Sequence, residues 1–146
     1  MPAYLSTDLT GSANQTSVPT GYRPAATVVG ARLKRLRGLF TLATQTTSDT
    51  LVIGSLPAGA TFAYGKITSS VSLGTSTVAI GITGTTGKYR TAAVLTTADT
   101  PTDFGNTAQV GASPLAAEEQ VFATIAVASL PASGTLVIDL YYSMPN

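Results

Sequence analysis

Apolar residues recur at every second position in several short runs of this chain, the period at which a strand shows one face to a core. The cleanest run is Ser76 to Thr83, where Val78, Ile80 and Ile82 point one way and Thr77, Ala79, Gly81 and Thr83 the other. Gln120 to Ala128 repeats the pattern, with Val121, Ala123, Ile125 and Val127 on one face and Phe122 on the other. Thr135 to Tyr142 sets Leu136, Ile138, Leu140 and Tyr142 against Val137, Asp139 and Tyr141. Arg32 to Leu42 places Leu36, Gly38, Phe40 and Leu42 on one face; Leu33, Leu36 and Phe40 also fall at helical spacing, but Gly38 and the polar run that follows favour a strand. Thr50 to Gly54 reads as a short buried strand, Phe62 to Val71 alternates loosely, and Tyr89 to Leu95 continues from a Thr/Gly turn. Thr107 to Val110 reads as a short edge strand at the end of a Pro/Gly-containing loop. The sum, about eight strands at even spacing, predicts an all-β fold: an antiparallel β-sandwich, jelly-roll-like. The single helical signal is Ser113 to Gln120, where Ser113 can cap and Pro114 can occupy the first helical position. It is long enough for one turn.

One phrase occurs twice. Ser55 to Thr61 reads SLPAGAT and Ser129 to Thr135 reads SLPASGT. In each copy an apolar run ends at Ser-Leu, Pro fixes φ and withholds an N–H from any ladder, and Gly can take a positive φ. A strand begins at once afterwards. Both copies therefore read as corners of the sandwich, and the flanking residues do not align well enough to make them a duplication.

Residues 1–27 differ from the rest. They are rich in Thr, Ser, Gly and Pro, with Tyr4, Leu5, Leu9, Val18 and Tyr22 scattered among them and no sustained period. This predicts an extended N-terminal arm ahead of a sandwich domain spanning 28–146. An isolated arm of this composition is mobile and can gain order by docking its apolar residues on a neighbouring subunit; a tail without consequence fits the same composition. The arm has neither the basic start nor the apolar run of a signal peptide, which predicts synthesis in a cytosol without export. No run approaches the ~20 apolar residues of a membrane-spanning helix, so no membrane partner is expected.

Composition narrows the chemistry. With 146 residues the chain can bury a real core as one domain. Hydrophobic residues make up 44% and charged residues 10%, against ~25% charged in ordinary globular proteins. A surface this poor in charge repels neighbours weakly and suits packing against other subunits. The chain has no Cys and no His, which removes disulfides, imidazole or thiolate metal sites, and His-dependent nucleophilic catalysis. No enzyme activity, cofactor or metal is expected. Gly81 to Tyr89, GITGTTGKY, invites comparison with a phosphate-binding loop, but Ile82 stands where the first Gly belongs and Tyr89 follows Lys88. A hairpin loop is the reading. Asp99 and Asp103 share one loop and are expected to make local turn hydrogen bonds; Glu118 and Glu119 are expected to be solvated.

Arg32, Lys34, Arg35 and Arg37 hold four of the eight Lys and Arg residues within six positions. On a strand Arg35 and Arg37 share one face and Arg32 and Lys34 the other. That defeats a single flat nucleic-acid patch and suits a strand exposed on both sides, at an edge or a subunit interface. Contact with an acidic protein neighbour is the first reading, plain solvation the second and nucleic acid the third, because a strongly basic balance and interleaved aromatics are missing. Charge reversal at Arg35 and Arg37 is expected to leave the fold intact.

The runs LPAGATFAYGKITSSVSLGTSTVAIGI, KYRTAAVLTTADTPTDFG and EEQVFATIAVASLPASGTLVIDLYYS, spanning about residues 33–143, resemble small structural proteins found with the capsid genes of tailed bacteriophages. The resemblance implies a virion component on the capsid surface: a decoration or cement protein that bridges capsid subunits. Its implied partner is the major capsid protein, and its implied state a homo-oligomer, with a trimer favoured. The candidate contact residues are then Arg32, Lys34, Arg35 and Arg37 with Tyr4, Leu5, Leu9 and Tyr22 of the arm. A head-fibre base or a tail or baseplate component is the alternative within the virion; a carbohydrate-binding sandwich is the alternative outside it.

Overall fold

The computed structural model describes residues 32–144, and within them every regular element is a strand: β1 (Arg32–Thr41), β2 (Thr50–Leu56), β3 (Thr61–Ser69), β4 (Thr77–Ile82), β5 (Thr85–Val94), β6 (Thr102–Phe104), β7 (Glu119–Ala126) and β8 (Thr135–Met144). They form two antiparallel sheets, ordered β1-β8-β3-β6 and β2-β7-β4-β5. Every connection except β4–β5 crosses from one sheet to the other. That interleaving is the double Greek key of a jelly roll. The residues Tyr4, Leu5, Leu9 and Tyr22 and the rest of the arm lie outside the described residues.

The two inner faces meet through the alternating apolar positions. Leu136, Ile138 and Leu140 of β8 face Val121, Ala123 and Ile125 of β7 and Val78 and Ile80 of β4 across the sandwich, all of them buried. Phe62, Tyr89 and Phe104 close one end of this core; the Phe62 and Tyr89 rings lie 4.8 Å apart and tilted. The hairpin between β4 and β5 turns at Thr83 and Gly84, with φ of 81° at Gly84, and joins two antiparallel strands.

Both SLPA phrases are corners of the same kind. The first carries β2 into β3 and the second β7 into β8, each time from the second sheet to the first. Leu56 and Leu130 plug the core beneath them, at 0% and 2% exposure. Gly59 and Gly134 take φ of 82° and 122°. Because β2 runs antiparallel to β7, the two corners sit at opposite ends of the sandwich. At the first, the Ala60 amide donates to the Pro57 carbonyl; at the second, the Pro131 carbonyl accepts from Thr44, knitting the corner to the β1–β2 loop.

Three expectations are corrected. The short edge strand is Thr102–Phe104, not Thr107 to Val110, which forms turns closed by the Asn106 carbonyl accepting from Gln109 and Val110. Ser113 to Gln120 forms no helical turn: the Leu115 amide donates to Ala60 and its carbonyl accepts from Gly59, so this backbone is spent on the β2–β3 corner, and Glu119 and Gln120 already belong to β7. Val127 does not continue the core face of β7. The strand ends at Ala126, and Val127 is 74% exposed with φ of 73°, inside a tight turn closed by the Ala128 amide on the Ala126 carbonyl.

Candidate interaction surface

The chain enters the described fold along β1, an edge strand that among the described residues pairs with β8 alone. Arg32, Leu33, Lys34 and Arg35 are exposed whichever face they point to, and burial begins at Leu36. The start of β1 therefore runs past the cover of the opposing sheet. Arg32 and Lys34, on the core-facing side of the pleat, stand against Met144 and Tyr142 in the register with β8 and still meet solvent. Among the described residues Arg32, Lys34 and Arg35 have no ion-pair partner. Three unpaired cations within four residues make this the most basic exposed stretch of the described chain.

Arg37 is different in kind. Its Nε and one terminal nitrogen donate to the two carboxylate oxygens of Asp139, both at 2.7 Å, in the fork geometry that makes arginine–carboxylate pairs strong. That hydrogen bonding holds the guanidinium pKa above its ordinary value. The Asp139 side chain is 8% exposed, so reversing charge at Arg37 sets a carboxylate against a buried carboxylate. The expectation that Arg37 can be reversed without harm to the fold is corrected; Arg35 is exposed and has no such partner among the described residues.

The carboxylates follow the same logic. Asp103 on β6 accepts from Lys66 Nζ at 2.5 Å instead of closing a local turn. Glu119 is not simply solvated: its oxygens accept from Lys88 Nζ at 2.5 and 2.7 Å, and one also accepts from the Tyr89 hydroxyl at 2.8 Å. Burial, aided by the hydrogen bond to Glu119, pushes the Tyr89 phenol well above its ordinary pKa. Asp99 sits in the β5–β6 loop with φ of 52°, its amide donating to the Ser69 carbonyl, and Glu118 is exposed. Among the described residues no group of three or more acidic side chains is gathered as a metal would need.

A fourth cation without an ion-pair partner among the described residues, Arg90, is buried at 6%. It donates to the carbonyls of Val78, Ala93 and Val94, where the β4–β5 pairing slips. Burial lowers its pKa, and its guanidinium supplies a donor to these three carbonyls beside the bulge. Sequence pattern did not single out Arg90 or Asp139, and it named Glu119 without its partners Lys88 and Tyr89, because each acquires its partner through strand register or a bulge.

The outer face of the first sheet is the other organised surface. Along one transverse row Arg37 stands beside Asp139, Asp139 beside Lys66, and Lys66 beside Asp103, one residue from each of the four strands. Next to the row Tyr64 and Tyr141 stack at 4.6 Å with 17° between their planes. Leu33 and Leu39 on the same side of β1 are 54% and 67% exposed.

Comparison with solved structures places the fold. A chain in "Cyanophage Pam1 capsid asymmetric unit" superposes with a TM-score of 0.66 and 21% identity, covering 99% of this chain and 100% of that one. A chain in "Capsid of Ralstonia phage GP4" gives 0.63 and 17% over 86% of this chain and 94% of that one. A chain in "Acidic stable capsid structure of Helicobacter pylori bacteriophage KHP30" gives 0.58 and 14%, with 78% and 89% covered. The fold is shared with these chains. No protein-family model matches the sequence, and no curated protein matches it.

Proposed function

We propose that this chain is a structural component of a bacteriophage virion, a decoration or cement protein that binds the assembled head and stabilises it by bridging capsid subunits. The observation that carries the reading is the end-to-end likeness to a chain of the cyanophage Pam1 capsid, 99% of one covered by 100% of the other.

The mechanism is mechanical. A ligand that binds the assembled shell but not the free subunits shifts the balance toward the shell. Many identical contacts of modest strength sum to a durable one once the copies are held together. The projecting start of β1 supplies the contact: Arg32, Lys34 and Arg35 carry charge that has no ion-pair partner among the described residues, and Tyr4, Leu5, Leu9 and Tyr22 of the preceding segment are proposed as further contact residues. The neighbour that fits is an acidic strip of the major capsid protein on the outside of the head. A trimer of this chain is the assembly that the sequence resemblance favours.

Purified heads lacking the protein, titrated with the full chain and imaged by electron cryomicroscopy, test the reading. Saturable, regularly spaced density on the outer surface is expected, weakening as salt rises because the contact is charged. The R32E/K34E/R35E variant should lose at least ~10-fold in occupancy while its melting temperature holds, since exposed surface substitutions cost within about 0.5 kcal/mol. Empty heads at saturating protein, or a variant that binds as well as wild type, overturn it.

A further inference from the structure

We infer that the outer face of the first sheet is a contact between two copies of this chain related by a two-fold axis parallel to the strands. The argument rests on the order of charges in the transverse row. From β1 to β6 it runs positive, negative, positive, negative: Arg37, Asp139, Lys66, Asp103. An alternating row with an even number of charges is antisymmetric about its midpoint, which here falls between β8 and β3. A two-fold axis over that midpoint reverses the row and lays each charge on its opposite: Arg37 against the partner's Asp103, and Lys66 over the partner's Asp139. The same rotation sets Tyr141 against the partner's Tyr64.

The face therefore already carries the complement of itself, which is the condition for an isologous contact. Three of the four charged groups are within reach of a partner, with side-chain exposures of 47% for Arg37, 41% for Lys66 and 69% for Asp103. Asp139 lies at the floor of the row, where an incoming lysine adds to the arginine that already covers it. Charge arrangements of this kind set register and reject wrong orientations more than they add affinity. A two-fold axis along the row itself would place like on like and is excluded by the same order.

Affinity comes from the apolar part, the stack of exposed Tyr64 on half-buried Tyr141. Four strands ~4.8 Å apart and up to ten residues long make a face on the order of 15 by 30 Å, at the small end of specific interfaces. The dimer is accordingly weak in dilute solution and fills when copies are crowded together. The inference stands on the geometry of this face and does not need the virion reading to hold.

Sedimentation equilibrium of the free, full-length chain at low salt tests it, with no shell present. Wild type should show a reversible doubling of mass as concentration rises into the hundreds of micromolar. The decisive variant is K66E/D103K. It keeps the ion pair between β3 and β6 with its polarity inverted, but turns the row into positive, negative, negative, positive, which the two-fold axis matches like against like. The new carboxylate at position 66 also stands beside the buried Asp139, so a lower melting temperature is expected for this variant. Association should weaken at least ~10-fold. Thr68→Glu, which adds a carboxylate to the same face one pleat from the row, should do the same without touching any ion pair and serves if the swapped variant misfolds. Wild type that keeps one mass at every concentration overturns the inference, and so does association indifferent to both variants. Loss of head binding by K66E/D103K with no change in free association would assign the face to the shell and overturn it equally.

Discussion

Tyr89 is the buried aromatic whose polar end is spoken for: its ring packs on Phe62 and its hydroxyl donates to Glu119, which also holds Lys88. Burial keeps its phenol neutral in the folded state beyond the pH at which a free tyrosine ionises, ~10. The sign of the consequence is fixed. Below that pH both states hold the proton and Tyr89 contributes its full share; above it the unfolded chain releases a proton that the folded chain retains, so stability falls as pH rises. Urea unfolding from pH 8 to 11 should show a decline for wild type that is shallower for Tyr89→Phe. Equal slopes would mean that the phenol is not held as the structure places it. At this scale the sequence was partly legible. Strand alternation correctly set Arg32 and Lys34 on one side and Arg35 and Arg37 on the other, and among the described residues Arg37 alone of the four has an ion-pair partner. What pattern could not supply was Asp139 as the partner of Arg37, 102 positions away, because such a pair exists only once the register of β1 on β8 is set.

The strands themselves were written in the period-two pattern, and the corners in the repeated Ser-Leu-Pro-Ala. What misled was each place where backbone, not side chains, decides. Thr107 to Val110 has strand-like residues, yet Asn106 gathers its amides into turns and spends its own side-chain amide on the Gly87 and Lys88 carbonyls. Val127 continues the alternation of β7, yet the chain must leave the sheet there to reach the β7–β8 corner. It does so through the rare positive-φ form of the three-residue turn, which a β-branched residue adopts only under strain. The turn is held because its neighbours are fixed: the Ala128 and Ser129 carbonyls both accept from the Ser76 hydroxyl, and the Leu130 amide donates to Gln45. Since the Val127 side chain is exposed and packs little, Val127→Gly loses few contacts and removes the strain. It should raise stability by about 1 kcal/mol despite the added freedom of glycine in the unfolded chain. Chemical denaturation measures this directly, and a loss of stability would contradict the strain argument.

A jelly roll of two open sheets has four edges, and an unprotected edge invites other chains to add to it. Three of them are blunted by their own shape. β6 is three residues long, and the pairings of β5 and β2 slip at bulges. β1 is the exception: ten residues in unbroken register with β8, its outer edge unpaired among the described residues. Charge is what remains to guard it, and in a chain with only 10% charged residues the concentration of Arg32, Lys34 and Arg35 at its start is a large share of the supply. The same cations that would face an acidic neighbour thus keep free copies from adding strand to strand before they find one. Replacing them with the residue type that covers the rest of the surface, as R32T/K34T/R35T, should leave the melting temperature unchanged and accelerate aggregation well below it, as read by light scattering at low salt. Raising salt on wild type should move its rate toward that of the variant, because screening does to the charges what the substitutions do. A variant that stays as soluble as wild type under both conditions would show that the β1 edge is guarded by something other than these three side chains.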